Sequence, residues 1–179
     1  MILSNLRDSS KARNIPIIST ATEEFLLEFL SIHQPKKCLE IGSAVWYSTI
    51  VIADKIRERS GQIVTFERSY PAYIEGLQNI STNNLHNITS YPFNFQEIQL
   101  ERFFQWKCDF VFVDWQKSQY GDYLRKIWPV IENNSLIVID DVIKYHNKLI
   151  WLYEFIKEMQ IQYEILALDD DDWVMILKR

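Results

Sequence analysis

This chain is short of glycine, histidine and cysteine, and each shortage closes off a class of chemistry. Only four glycines occur in 179 residues, so there is no glycine-lysine phosphate loop and no complete run of glycines for a dinucleotide fingerprint. His33, His86 and His146 form no ligand spacing, and no serine, histidine and aspartate ordering of a hydrolase accompanies them. The two cysteines, Cys38 and Cys108, each sit at the edge of an apolar run and read as small reduced core residues. No apolar stretch approaches the roughly 18 residues of a membrane span, and the first residues lack a signal-peptide centre. A cytoplasmic location with no membrane partner is therefore expected. Repeats, low-complexity tracts and linkers are missing too, so a single domain is expected over 1–179, its first 35 residues a helical segment. The formal net charge of -5 gives no general attraction to nucleic acid.

What the chain does have is a large apolar content, 47% hydrophobic and 14% aromatic, enough for one sizeable core. Apolar runs of strand length alternate with segments of helical period, the pattern of βαβ units around a mostly parallel sheet. Strands are expected at Cys38–Ile41, Ile63–Glu67, Ile88–Tyr91, Phe110–Asp114 and Leu136–Asp140. Helices are expected at Trp46–Arg59, Pro71–Asn83, Phe95–Phe104, Tyr120–Ile131 and His146–Gln160. Tyr163–Leu168 and Trp173–Lys178, joined by the acidic turn Asp169–Asp172, read as an antiparallel pair closing the sheet. Thr20 to Glu23 reads as a capping box that opens a helix reaching about Ile32, with Pro35 beyond it.

The most informative stretch is Phe110–Asp114 followed by Trp115, Gln116 and Lys117. A second apolar run, Leu136–Ile139, also ends in acids, Asp140 and Asp141. Buried strands ending in carboxylates deliver them to the sheet's carboxyl edge, where open α/β folds bind ligands. Three carboxylates and a lysine there suggest a hard metal ion beside a general base. At the same edge, Leu39 to Gly42 passes through a glycine turn into the segment around Tyr47 and Ser48, presenting free N–H groups and a helix dipole. Glu67, 25 residues after Gly42, closes the next strand. An acid at that place can accept both ribose hydroxyl protons of a nucleoside. Asn94 offers an amide suited to an adenine edge, and is equally ordinary as a turn residue.

Taken together, Leu39-Glu40-Ile41-Gly42-Ser43-Ala44 with Tyr47 and Ser48, Phe66-Glu67, Asp109–Asp114 with Lys117 and Tyr120, and Ile137–Val142 resemble the cation-dependent O-methyltransferases. That family includes catechol and caffeoyl-coenzyme A enzymes and bacterial tRNA hydroxyuridine methyltransferases, and Ile15–Ile18 looks most like the bacterial branch. The resemblance implies a Rossmann-like class I methyltransferase fold, α/β, with a seven-stranded mostly parallel sheet, the last strand antiparallel, and helices on both faces. It implies S-adenosylmethionine as cofactor and Mg²⁺ or Mn²⁺ as metal. Position by position, Glu40, Gly42, Ser43, Tyr47 and Ser48 would line the methionine end, Glu67 would hold the ribose, and Asn94 with Phe95 would meet the adenine. Asp114, Asp140 and Asp141 would bind the metal, Asp114 also bordering the cofactor, and Lys117 would be the base. A small-molecule hydroxyl acceptor is expected, hydroxylated tRNA is the other acceptor class, and a homodimer is implied.

The chemistry agrees with that assignment. Methyl transfer needs an oxygen aligned behind the methyl carbon, and a phenol is mostly protonated at neutral pH. An oxygen-bound metal would orient the acceptor and favour its deprotonation, while a lysine of lowered pKa collects the proton. Three departures stand out. Asp141 replaces an asparagine of the family, Trp46 replaces a glycine close to the cofactor, and the segment from Val142 to His146 is shorter than the family's loop over the acceptor. Trp46 and the short loop together raise an alternative, a degenerate methyltransferase-like protein that binds the nucleoside without turnover.

Overall fold

The alternating pattern folds as one mixed sheet. The computed structural model describes residues 2–103 and 107–179. In chain order the elements are α1 (Ile2–Ala12), α2 (Thr20–His33), β1 (Lys37–Ile41), α3 (Tyr47–Arg57), β2 (Gln62–Phe66), α4 (Tyr70–Asn83) and β3 (Ile88–Tyr91). They continue with β4 (Cys108–Val113), α5 (Tyr120–Ile127), β5 (Ile131–Ile139), α6 (Ile150–Glu158), β6 (Tyr163–Ala167) and β7 (Trp173–Lys178). The seven strands are ordered β3-β2-β1-β4-β5-β7-β6, parallel through β5. The last strand, β7, runs antiparallel between β5 and β6. This is the Rossmann-like architecture expected from the sequence. Among the described residues, no helix is long and apolar enough to cross a membrane.

Strand alternation divides the core into two layers. Leu39, Ile41, Val111, Val113, Ile137 and Ile139 face α5 and α6, where they meet Tyr120, Tyr123, Leu124, Leu152 and Phe155. Cys38, Ile63, Phe110, Phe112 and Val138 face the other way, onto α2 and α3. Both cysteines are buried and free. Because Glu40 is two residues from Cys38, it falls on the α3 side of β1. The pairing of β1 with β2 sets it beside Thr65.

Several boundaries differ from the sequence reading. The proposed helix over 95–104 is replaced by a turn, with one 3-10 turn at Leu100–Arg102; its last residue, Phe104, lies outside the described residues. Aromatic packing explains the misleading pattern, since Phe95 and Phe103 both lie against Phe66. Strand β5 begins at Ile131, so α5 stops at Ile127. The α6 helix starts at Ile150, after a 3-10 turn at His146–Lys148. Ser19, and not Thr20, caps α2 by accepting the Thr22 N–H at 2.9 Å. Glu23 does not close a capping box; its carboxylate takes Arg7 at 2.5 Å and the Tyr47 hydroxyl at 2.7 Å. Arg7 also donates to Tyr47 and to the carbonyls of Ile18 and Ser19, so α1, the 16–19 segment and α3 are joined by one guanidinium.

Candidate active site

Where β1 ends, the chain must turn sharply beneath the end of β4. Gly42 has φ +91, and a Cβ there would lie 2.5 Å from the Asp114 carbonyl oxygen, so only glycine fits. The turn leads to α3, and the strand-end residues border a cavity of about 490 Å³, within the usual size of small-molecule sites, roughly 300 to 1,000 Å³. Gly42, Ser43, Tyr47, Ser48, Glu67, Asp114, Lys117, Asp140 and Asp141 all line it. The acids stand one residue beyond the strand ends: Glu67 after β2, Asp114 after β4, Asp140 after β5.

Backbone holds the Glu67 side of the cavity. The N–H groups of Ala44 and Ser69 donate to its two carboxylate oxygens at 2.9 and 2.6 Å. Burial still pushes its pKa up against those bonds. Ser43 is buried on the same wall, and its Oγ has no partner among the described residues. The Ser43 hydroxyl and the Glu67 carboxylate thus give this wall a polar character.

Trp46 is not in the cavity. Its indole is fully buried and lies so close to Gly76 of α4 that a Cβ there would be 2.3 Å from the ring; Tyr73 meets it edge-on at 5.5 Å. The backbone at Trp46 keeps the left-handed conformation that suits a glycine, φ +69. The side chain turns into the core, so the expected crowding of the site does not occur.

Three further expected residues do not line this cavity. Glu40 is fully buried behind the wall and takes no part in lining the cavity. Asn94 spends its amide on Glu97 and on the N–H of Gln96, and Phe95 is buried against Phe66 and Tyr123. Conversely, Pro16–Ser19, Trp115, Lys144, Tyr145 and Asp172 line the cavity without having been singled out. The signal for Trp115 was its place between Asp114 and Lys117, and Pro16–Ile18 belong to the stretch resembling the bacterial branch; Lys144 and Tyr145 carried none.

The opposite side is held by charge. Lys117 Nζ lies 2.6 Å from Asp114 Oδ1 and 2.9 Å from Asp141 Oδ2. Just beyond the end of β5, Asp141 adopts φ +62, and both Asp140 and Asp141 border the cavity. One Asp140 oxygen accepts the Asp141 N–H at 2.9 Å. Burial raises the Asp140 pKa, and the charges of Asp114 and Asp141 raise it further. For Lys117, burial alone lowers the pKa, but the charges of Asp114 and Asp141 and the hydrogen bond to Asp114 overcome it. The net shift is upward, opposite to the lowered value expected of a proton-collecting base, because the acids that mark the site also hold the ammonium charged. The three carboxylates suit a hard cation in kind. As arranged, Lys117 neutralises two of them, and among the described residues no three side chains are grouped to hold a metal ion. The acidic turn after β6 is an Asx turn, in which Asp169 accepts the N–H groups of Asp171 and Asp172.

A family model described as O-methyltransferase matches residues 1–171. A caffeoyl-CoA O-methyltransferase of Stellaria longipes is 23% identical over 148 residues, covering 79% of this chain and 61% of its own length, so the match spans less than two thirds of that relative. An O-methyltransferase from Bacillus cereus, solved in complex with SAH, superposes with a TM-score of 0.82 at 21% identity, covering 99% of this chain and 90% of its own. TomG from Streptomyces achromogenes, an O-methyltransferase solved with SAM, gives 0.83 at 16%, with 99% and 89% covered.

Proposed function

The chain belongs to the O-methyltransferase family, and from that membership we propose that it transfers the methyl group of S-adenosylmethionine to a hydroxyl acceptor, a small catechol-like molecule. The observation that carries this reading is the backbone-held Glu67 facing one cavity with Asp114 and Lys117. A carboxylate fixed in that way receives a ribose diol without having to be reoriented. Gly42 and Ser43 would hold the cofactor between its ribose and its sulfonium, and Trp115 and Tyr145 would border the acceptor. The cofactor would supply an electrophilic methyl group, which the acceptor oxygen would take as the carbon–sulfur bond gives its electron pair to sulfur and the acceptor proton passes to solvent. Lys117 supplies positive charge beside that oxygen, which favours its ionised form. In this role it acts as a charged donor and not as the base.

A divalent cation also belongs to the proposal. Asp114, Asp140 and Asp141 would hold it, and it would supply Lewis acidity to the acceptor oxygen. Lys117 competes with it for Asp114 and Asp141.

The test is titration calorimetry with S-adenosylhomocysteine, followed by methyl transfer to a catechol in excess chelator and with Mg²⁺ or Mn²⁺ restored. Binding together with metal-restored transfer supports the whole reading. Transfer that persists in chelator removes the metal and leaves Lys117 as the activating charge. Binding without transfer to any hydroxyl acceptor favours the nucleoside-binding alternative, for which the short segment from Val142 to His146 still speaks although Trp46 points away from the cavity. A homodimer and hydroxylated tRNA as acceptor remain proposals of the family resemblance, tested by sedimentation and by assay on tRNA.

A further inference from the structure

The acceptor side of the cavity carries positive charge that the chain's net charge of -5 conceals. Between Asp141 and α6 the chain winds through tight turns: the His146 N–H donates to the Ile143 carbonyl at 3.0 Å, and the Lys148 N–H to the Tyr145 carbonyl at 2.7 Å. Residues three apart in such a turn share one face. Lys148 therefore falls over Tyr145, with its Nζ 4.9 Å from the ring centroid. Lys144 Nζ lies 5.8 Å from the same centroid and Lys117 Nζ 5.7 Å. Tyr145, Lys144 and Lys117 line the cavity, so one ring on its wall is surrounded by ammonium groups. Trp115, the other aromatic there, has the Arg68 guanidinium 5.6 Å from its ring centroid.

The acids of the cavity do not cancel this charge. Lys117 is taken by Asp114 and Asp141, and Glu67 is held on the opposite side by backbone N–H groups. Among the described residues Lys144, Lys148 and Arg68 make no ion pair. Asp140 and Asp172 remain as negative charge on the cavity wall, which opposes a polyanion such as RNA and favours a single anionic group at the lysine rim.

We infer that Lys144 and Lys148 are specificity residues that select, among small aromatic hydroxyl compounds, an acceptor bearing a carboxylate, its ring against Tyr145 and Trp115 and its carboxylate toward the two lysines. The inference rests on the acceptor reading above. The short segment that gives the acceptor less cover gives it charge instead.

Calorimetry with S-adenosylhomocysteine and Mg²⁺ present tests it by comparing protocatechuate, catechol and dopamine, which put a negative, no and a positive charge on the same diol. At low ionic strength the wild-type protein should bind protocatechuate about 3- to 20-fold more tightly than catechol, the span of two exposed ion pairs, and dopamine most weakly. Added salt should shrink that preference. Lys144→Ala/Lys148→Ala should bring the ratio of protocatechuate to catechol affinity near one. Lys144→Glu/Lys148→Glu should reverse the order, which a general loosening of the cavity cannot do. Equal affinity for the three diols in the wild-type protein overturns the inference, as does an order that survives charge reversal. Bulk tRNA that displaces protocatechuate from the wild-type protein, and binds the reversed variant poorly, would assign the lysines to a polyanion and overturn it too. Protein that binds S-adenosylhomocysteine but none of the diols overturns the acceptor reading and the inference with it, whereas failure of the charge order alone leaves that reading standing.

Discussion

The two sides of the cavity are built by different physics. Around Glu67 and Gly42, backbone N–H groups and a close chain crossing fix every atom, and the supporting side chains are buried. Around Lys117, an ammonium and two partly exposed carboxylates hold one another through charge and one side-chain hydrogen bond. The first side is preorganised by the fold and is costly to alter in stability. The second can exchange partners, and its alteration should be felt in turnover.

The sharpest break in that comparison is Lys117→Ala. Losing the charge beside the acceptor oxygen should lower kcat by roughly 10²- to 10³-fold, with S-adenosylhomocysteine affinity and melting temperature nearly unchanged; a fully active variant would remove Lys117 from the chemistry. Trp46→Gly probes the other side. A lost buried indole costs about 3 to 5 kcal/mol, and relief of the left-handed backbone returns about 1 kcal/mol. The net expectation is a loss of about 2 to 4 kcal/mol in denaturant unfolding, with cofactor affinity falling only as the fold loosens.

Glu40 gives the same side a pH signature. Burial pushes its pKa up to about 7 from an ordinary 4.5, against the bonds from Ser48, Thr49 and Thr65. The folded state therefore binds the proton more tightly than the unfolded chain. Glu40's stabilising contribution is fully present below the unfolded value and is lost as pH rises toward the folded one. Relative to Glu40→Gln, wild-type stability should fall by up to about 3 kcal/mol across that window and stay level above it; parallel curves would refute the assignment. Glu67→Ala should weaken S-adenosylhomocysteine binding by about 1.5 to 3 kcal/mol, read by calorimetry. The smallest effect is expected for Asp141→Asn. Lys117 keeps Asp114, so stability should change by about 1 kcal/mol or less; a larger loss would mean that this side is as rigid as the other.

Much of this contrast could be read before any coordinates. Glu67, Asp114 and Asp140 announced the site because apolar runs ending in acids can only deliver them to one sheet edge, and the parallel order followed from the alternation of runs and helices. The register that brings Glu40 beside Thr65 is a property of strand pairing, although its period-two relation to Cys38 already separated it from Leu39 and Ile41. Trp46 misled because a glycine position near a cofactor is read as a contact with the cofactor; a left-handed backbone let the indole leave by the other side. Phe95 and Phe103 mimicked a helical face because two aromatics packing on Phe66 need only nearness, not helical spacing. Lys144 and Tyr145 reach the cavity by chain path, which no local pattern encodes.

Arg7 carries one more consequence. By tying Tyr47, Glu23 and the carbonyls of Ile18 and Ser19 together, it links the docked first helix to the wall that Ile18, Ser19 and Tyr47 give the cavity. Whatever occupies the cavity and touches that wall must then stabilise the docked amino-terminal region by the same free energy with which docking tightens the ligand. Occupancy should be visible far from the chemistry, as slower amide exchange and slower proteolysis of residues 2–19.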